Sequence, residues 1–396
     1  MKKSHTRRNI FLYKTFILFN EPLFWGPILI ASLQGLGHMK LSEIYFMESA
    51  VLGICVTLNV PCGSLADTIG RKKTLIIGRI FLLLSTIMFA FMTSPFLAWM
   101  GNIMWAIGYS FQSGADKALL YETLKEVRLE KKYKKIEGCA VGLRYFTIAF
   151  TSLSVGYLSE INMRIPLYMC IPFMIIPLIA SCFFKEIIVE RNYNVKDQIR
   201  TLFLGIKYAL RKAEIRWIIA FCALIMGASK IWFFTYNPYF ERVGISLKYY
   251  GIIFCLLNIV AWASSHYAHR IEEKISERKC ILVMILCVGL PILIMGMFPF
   301  WPMAYLVISQ NVVRGFMTPF VGAFTNRHIQ SENIRATVLS VRSSLTDMVS
   351  IISLSWFGLM ERPFGLLSSL VVLGIVVLVL GKLIYSRYGK LFPKNK

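Results

Sequence analysis

The acids Glu21, Asp116 and Asp347 and the bases Lys117, Arg144, Lys230, Arg314 and Arg342 are among the charged residues that stand inside long apolar stretches of this chain. A charge placed in hydrocarbon costs roughly 2.5–3.5 kcal/mol on insertion scales, so each is a functional hypothesis by default. A carboxylate withdrawn from water can hold a proton in one surrounding and release it in another, as a neighbouring cation comes and goes. A buried base can hold an anion. An acid and a base that meet permanently can do neither and only fix the packing of two helices.

The elements that must position these groups follow from composition. The 396 residues are 56% hydrophobic and only 16% charged, with a mean hydropathy of +0.60. A soluble domain of this length would carry more charge, so the apolar surface is solvated by lipid. Apolar windows predict twelve spans, near 12–36, 42–64, 74–93, 96–121, 137–158, 164–184, 215–240, 247–268, 280–299, 302–326, 337–360 and 363–386. The basic segment Met1–Arg8 precedes an apolar run without a small-residue cleavage site, so the first span is expected to serve as its own insertion signal.

The formal charge of +23 concentrates in alternate connections. Lys125, Arg128, Lys131, Lys132, Lys134 and Lys135 lie between spans four and five, while Thr93-Ser94-Pro95 alone joins spans three and four. The positive-inside rule then predicts both termini in the cytoplasm. The basic charge therefore reads as orientation in the membrane and not as a nucleic-acid surface. The longest polar segment, 185–214, divides residues 1–184 from 215–396, six spans on each side. Within it Ile199, Leu202, Phe203, Ile206 and Leu210 share one helical stripe, which predicts an amphipathic linker helix at the cytoplasmic face.

Counted along the predicted helices at ~1.5 Å per residue, Glu21, Asp116 and Arg144 sit at similar depth, about 8–12 Å from the inner surface. Asp116 and Arg144, on consecutive antiparallel helices, are expected to be able to pair. Glu21, in Phe19-Asn20-Glu21-Pro22, has no base beside it in sequence and is the better proton-carrier candidate. The deep bases outnumber the deep acids, which suits an anionic or zwitterionic cargo, although arginines can equally bind carbonyl ends of broken helices. Trp25, Tyr109 and Tyr236 are candidates for an aromatic cavity wall beside Lys230, Arg314, Arg342 and Asp347; most aromatics of such a chain serve packing or the interfacial belts.

Between spans two and three runs Gly63-Ser64-Leu65-Ala66-Asp67-Thr68-Ile69-Gly70-Arg71-Lys72-Lys73-Thr74-Leu75. It resembles the signature loop of major facilitator superfamily transporters, G-x-L-x-D-R-x-G-R-R/K-x-x-L, with Thr68 in place of the usual arginine. The resemblance extends to the six-plus-six arrangement and implies an all-α integral membrane fold of twelve helices in two bundles, with a binding site near the midplane. It also implies a conformational latch made of Gly63, Asp67, Gly70, Arg71, Lys72, Glu122 at the inner end of helix four, and the opening of helix eleven at Arg335. The equivalent stretch of the second half, His266 to Lys279, has a similar basic ending but neither the glycines nor the aspartate. Two patterns of proton-driven drug exporters are missing: Tyr109 and Ser110 occupy the neighbourhood of the arginine in R-x-x-Q-G, and Leu143 follows Gly138-Cys-Ala-Val-Gly142 where a proline is usual.

The expected function is secondary transport of a small molecule across a bacterial plasma membrane by alternating access. Proton-coupled export of an amphiphile or drug comes first, then uptake or exchange of an anionic or zwitterionic metabolite, and last a transport-dead receptor. No P-loop supports an ATP-driven pump, and no convergent nucleophile or metal constellation supports an enzyme. The nine cysteines are scattered without a C-x-x-C pair. The expected partners are the cargo, the bilayer and protons, with no cofactor, no metal and no nucleic acid, and the chain is expected to act as a monomer.

Overall fold

The computed structural model describes residues 2–186, 206–207, 211–328 and 332–392, with the side chains of 2–4, 326, 328 and 332–340 outside that description. The linker helix expected over 195–210 falls almost wholly outside the described residues. All regular elements among them are helical. They are α1 (Lys2–Leu18), α2 (Leu29–Gly35), α3 (Leu41–Ile69), α4 (Arg71–Ala90), α5 (Pro95–Gln112), α6 (Ala115–Lys125), α7 (Tyr133–Ile161) and α8 (Arg164–Phe183). Then follow α9 (Ala213–Arg242), α10 (Tyr250–His266), α11 (Ala268–Lys274), α12 (Glu277–Met297), α13 (Val307–His328) and α14 (Glu332–Leu391). Among the described residues eight helical stretches are long and apolar enough to cross a membrane.

Two predicted spans are not single helices. Span one stops at Leu18, turns through Asn20-Glu21-Pro22 and resumes through a short 3-10 segment, Gly26–Ile28, into α2. Pro22 has no N–H to give the Leu18 carbonyl, and its ring opposes helical geometry in the preceding residue. Span four breaks at Gly114, whose φ of +83° lies in the left-handed region, so that Ala115 opens a new helix, α6, with Asp116 in its first turn. Conversely, the last two spans run as one stretch, α14, kinked at Gly365 (φ 73°) two residues after Pro363.

The residues form two compact units. The first comprises Met1–Met39, Val51–Gln198 and Leu247–Cys255. Its core joins Tyr13, Phe16 and Ile17 of α1 to Leu75 of α4, Leu119, Leu120 and Leu124 of α6, and Phe184. Helices α4 and α5 approach closely where glycine faces glycine: a Cβ on Gly78 would lie 2.9 Å from the Gly108 carbonyl oxygen. Such contact between small residues is how helices pack when lipid supplies no hydrophobic drive.

The second unit comprises Lys40–Ala50, Ile199–Ser246 and Leu256–Lys396. In it α14 packs on both α9 and α12, again through glycines: a Cβ on Gly296 would lie 2.8 Å from the Val371 nitrogen, and one on Gly374 2.7 Å from Leu293. At one end Trp217 gathers Phe221, Phe324, Tyr388 and Phe392 around itself, and its indole N–H donates to the Ile384 carbonyl at 2.7 Å.

Candidate functional site

The loop between α3 and α4 is built around Arg71. Its guanidinium reaches Asp67 at 2.5 Å, one turn back on α3, and Glu122 of α6 at 3.5 Å. All three side chains are nine-tenths or more buried. Gly70 stands at φ +101°, a conformation that L side chains rarely adopt, and a Cβ there would meet the Glu186 carboxylate at 3.0 Å. That carboxylate accepts the main-chain N–H groups of Arg71 at 2.7 Å and Lys72 at 2.8 Å. The positive amino end of α4 is thus capped by an acid from beyond α8. Gly63 has open space around its Cβ position. The contact expected between Asp67 and the start of helix eleven involves side chains, Arg335 included, outside the described residues.

The break in helix one carries the second constellation. Glu21 lies in it, 45% exposed, and pairs with Arg144 of α7 at 3.1 Å. The pairing of Asp116 with Arg144 is therefore corrected, and Glu21, which has no base beside it in sequence, meets one from another helix. Counting residues fixes height in the membrane, but the break and the helix rotation decide which acid faces Arg144. Asp116 is buried in the first turn of α6, where the helix amino end favours a carboxylate, and it accepts the Lys117 main-chain N–H at 2.7 Å. The Lys117 side chain is largely exposed and meets Glu137 at 3.6 Å.

Between these groups lies Arg79 of α4, with no exposed surface. It donates to the Asn20 main-chain oxygen at 3.1 Å and to the Asn20 side-chain oxygen, to which Gln112 also donates. Its guanidinium lies 4.3 Å above the Phe16 ring. Trp25 is buried against Phe89, 4.2 Å between ring centroids, with Trp105 edge-on at 6.2 Å. Tyr109 is 48% exposed.

In the second unit the expected residues are spread over several helices. Lys230 of α9 lies 5.7 Å from the Phe234 ring and acts through space on Asp347 of α14. Arg342 lies near the Cys222 thiol, and Arg314 donates to Asn258 at 2.9 Å. Tyr236 is buried, with the rings of Phe233 and Phe240 against it. Sequence reasoning did not anticipate the buried contact of Tyr45 with Thr235 at 2.5 Å or that of Ser49 with Ser355 at 2.7 Å.

Residues 38–354 match the Major Facilitator Superfamily. The chain belongs to that superfamily. It is a multi-pass membrane transporter for a small-molecule substrate, of the twelve-helix fold. The transporter is 24% identical over 349 residues to YxaM of Bacillus subtilis (strain 168), an uncharacterized MFS-type transporter, with 84% of each chain covered. Three solved structures share the fold. The nucleoside transporter NupG superposes with a TM-score of 0.78 at 14% identity, covering 97% of this chain and 98% of its own. A bacterial homolog of the human lysosomal transporter Spinster, inward-facing and unoccupied, gives 0.74 at 13% identity over 100% and 98%. A POT family transporter in complex with 5-aminolevulinic acid gives 0.70 at 12% over 97% and 96%.

The site residues missed by sequence reasoning each left a signal. Arg79 is a charge within the third apolar run, masked by its closeness to Arg71, Lys72 and Lys73. Asn20 precedes Glu21-Pro22, the place where the helix breaks. Glu186 ends the sixth run, within the segment assigned to the linker.

Proposed function

We propose that the transporter couples cargo movement to protons through Glu21 and Arg144, and that it exports a cationic or neutral amphiphile. One observation carries this: the 3.1 Å ion pair sits at a break in a membrane helix, with its acid 45% exposed and its base 15% exposed. A half-exposed carboxylate can exchange protons with water and can meet a cationic cargo. A proton and such a cargo then compete for Glu21, which is the logic of antiport. Discontinuous helices are where membrane transporters commonly hold substrates and coupling ions. The charged loop around Arg71 acts in this reading as a latch: losing a charged contact shifts two states that differ by a few kcal/mol.

Uptake or exchange of an anionic or zwitterionic metabolite is the second reading, favoured by the bases Lys230, Arg314 and Arg342 beside the acid Asp347. Here protonation of Glu21 would free Arg144 for a cargo carboxylate, and proton and cargo would travel together. The fold neighbours include a nucleoside transporter and one solved with 5-aminolevulinic acid, a zwitterion.

Proteoliposomes under an imposed pH gradient test both, with ethidium, uridine and 5-aminolevulinic acid as probes. Ethidium moving against its own gradient, opposite to protons, is expected. Co-movement of 5-aminolevulinic acid or uridine with protons would select the second reading. Glu21→Gln should abolish gradient-driven accumulation yet keep downhill exchange. If that variant folds and still concentrates its cargo, coupling lies elsewhere.

A further inference from the structure

The break in helix one needs something to hold it open. The main-chain N–H groups of Phe19 and Asn20 still reach the Thr15 and Ile17 carbonyls, but the chain then leaves helical geometry, and in a membrane interior a carbonyl left unsatisfied there is costly. Arg79 meets the Asn20 carbonyl, the Asn20 side-chain oxygen and the Phe16 face at once. Only a planar guanidinium, with five donors in a rigid fork, can do all three. Its charge also lies at the negative, carboxyl end of α1, where a cation is favoured. Among the described residues no carboxylate is within ion-pair distance of Arg79, although Asp116 and Glu21 both act on it through space. A fully buried arginine that satisfies carbonyls while two acids stand nearby is an unusual expense for packing alone.

We propose that Arg79 is the positioning residue of the helix-one break: it holds Asn20 out of helical geometry and so keeps Glu21 turned towards Arg144. This rests on the reading of Glu21 as the coupling acid. Arg79 further supplies a fixed positive charge shared by Glu21 and Asp116. The other charged or titratable groups facing these acids are Arg144 and Tyr109 at Glu21, and Lys117, Glu137, Tyr13, Tyr109 and Tyr133 at Asp116. None of them touches the Asn20 carbonyl.

The test needs no cargo. Full-length protein in phosphatidylethanolamine–phosphatidylglycerol vesicles is followed by hydrogen exchange over residues 19–25 and by Trp25 fluorescence against pH, with Trp25→Phe as the blank. Arg79→Gln should speed exchange at residues 19–25 by about tenfold or more, because local opening there loses its main restraint. It should also move the fluorescence transition to higher pH, since losing a buried cation favours the neutral form of nearby acids. Arg79→Lys keeps the charge without the fork, so it should speed exchange and leave the transition in place. Asn20→Ala should speed exchange with Arg79 intact. Ser85→Ala, at another fully buried polar position on α4, should change neither readout. Wild-type exchange in both Arg79→Lys and Asn20→Ala would overturn the proposal even where Arg79→Gln fails to fold. A pH transition that survives Glu21→Gln counts against Glu21 as the coupling acid, and the exchange data then decide for Arg79 alone.

Discussion

The loops between spans two and three and between spans eight and nine hold equivalent places in the two halves of the sequence, and they tie down their helices with opposite charge. In the first, the base Arg71 comes from the loop and the acid Glu122 from the end of helix four. In the second, the acids Glu272 and Glu277 come from the loop region, and the base Arg327, from the end of α13, reaches them at 3.0 and 2.6 Å. Tyr388 of α14 adds a hydrogen bond to Glu277 at 3.0 Å. The mechanical task, pinning a loop to a helix end, survives reversal of sign. The environment does not: the Arg71 pair with Asp67 has 10% and 5% of its side-chain surface exposed, whereas Arg327 is 45% exposed. Burial of both signs makes the first cluster expensive to disturb, whereas in the second the acids are mostly buried, at 11% and 25% exposed, and the base opens to solvent.

The comparison breaks first at Arg71. Arg71→Met leaves the buried Asp67 and Glu122 without this cation, and removing one partner of a buried pair typically costs about 3–5 kcal/mol. Chemical denaturation of the purified protein in detergent, or folded yield if the variant is too unstable, should show that loss. A cost below about 1 kcal/mol would place the cluster with surface ion pairs.

Next in size is the cap on α4. Glu186→Gln keeps one acceptor oxygen but loses the charge that faces two main-chain N–H groups, a loss of about 1–2 kcal/mol. Gly70→Ala should cost a similar ~1–3 kcal/mol, since it must hold φ at a value suited to glycine while its Cβ crowds Glu186. Because both changes strike the same contact, the double variant should cost less than the two singles together. Strict additivity in denaturation would show that Gly70 and Glu186 act independently.

What the sequence made legible here were features that spacing or hydropathy alone can express. Asp67, Gly70 and Arg71 sit in one short run, and Glu122 is the acid at the end of an apolar stretch, so the first cluster could be read in advance. The second could not: a reversed pair has no glycine-and-aspartate frame, and Arg327 lies far from Glu272 in the chain. Arg144 met Glu21 and not Asp116 because depth along a helix says nothing of azimuth, and because helix one breaks where Pro22 interrupts an otherwise continuous apolar run. Glu186 was hidden by the opposite problem, a polar surrounding that made one more acid unremarkable.

The smallest effect should come from Arg327. Its side chain is nearly half exposed, so water screens part of what it gives to Glu272 and Glu277, whose own side chains are 11% and 25% exposed. Arg327→Gln should therefore cost about 1 kcal/mol or less. Tyr388 continues to donate to Glu277, and the aromatic cluster around Trp217 still packs α14 against α9 and α13. The two clusters should also answer salt differently: raising ionic strength ought to erase the Arg327→Gln difference and leave that of Arg71→Met nearly intact. An equal response of the two differences to salt would mean that burial is not what separates these loops.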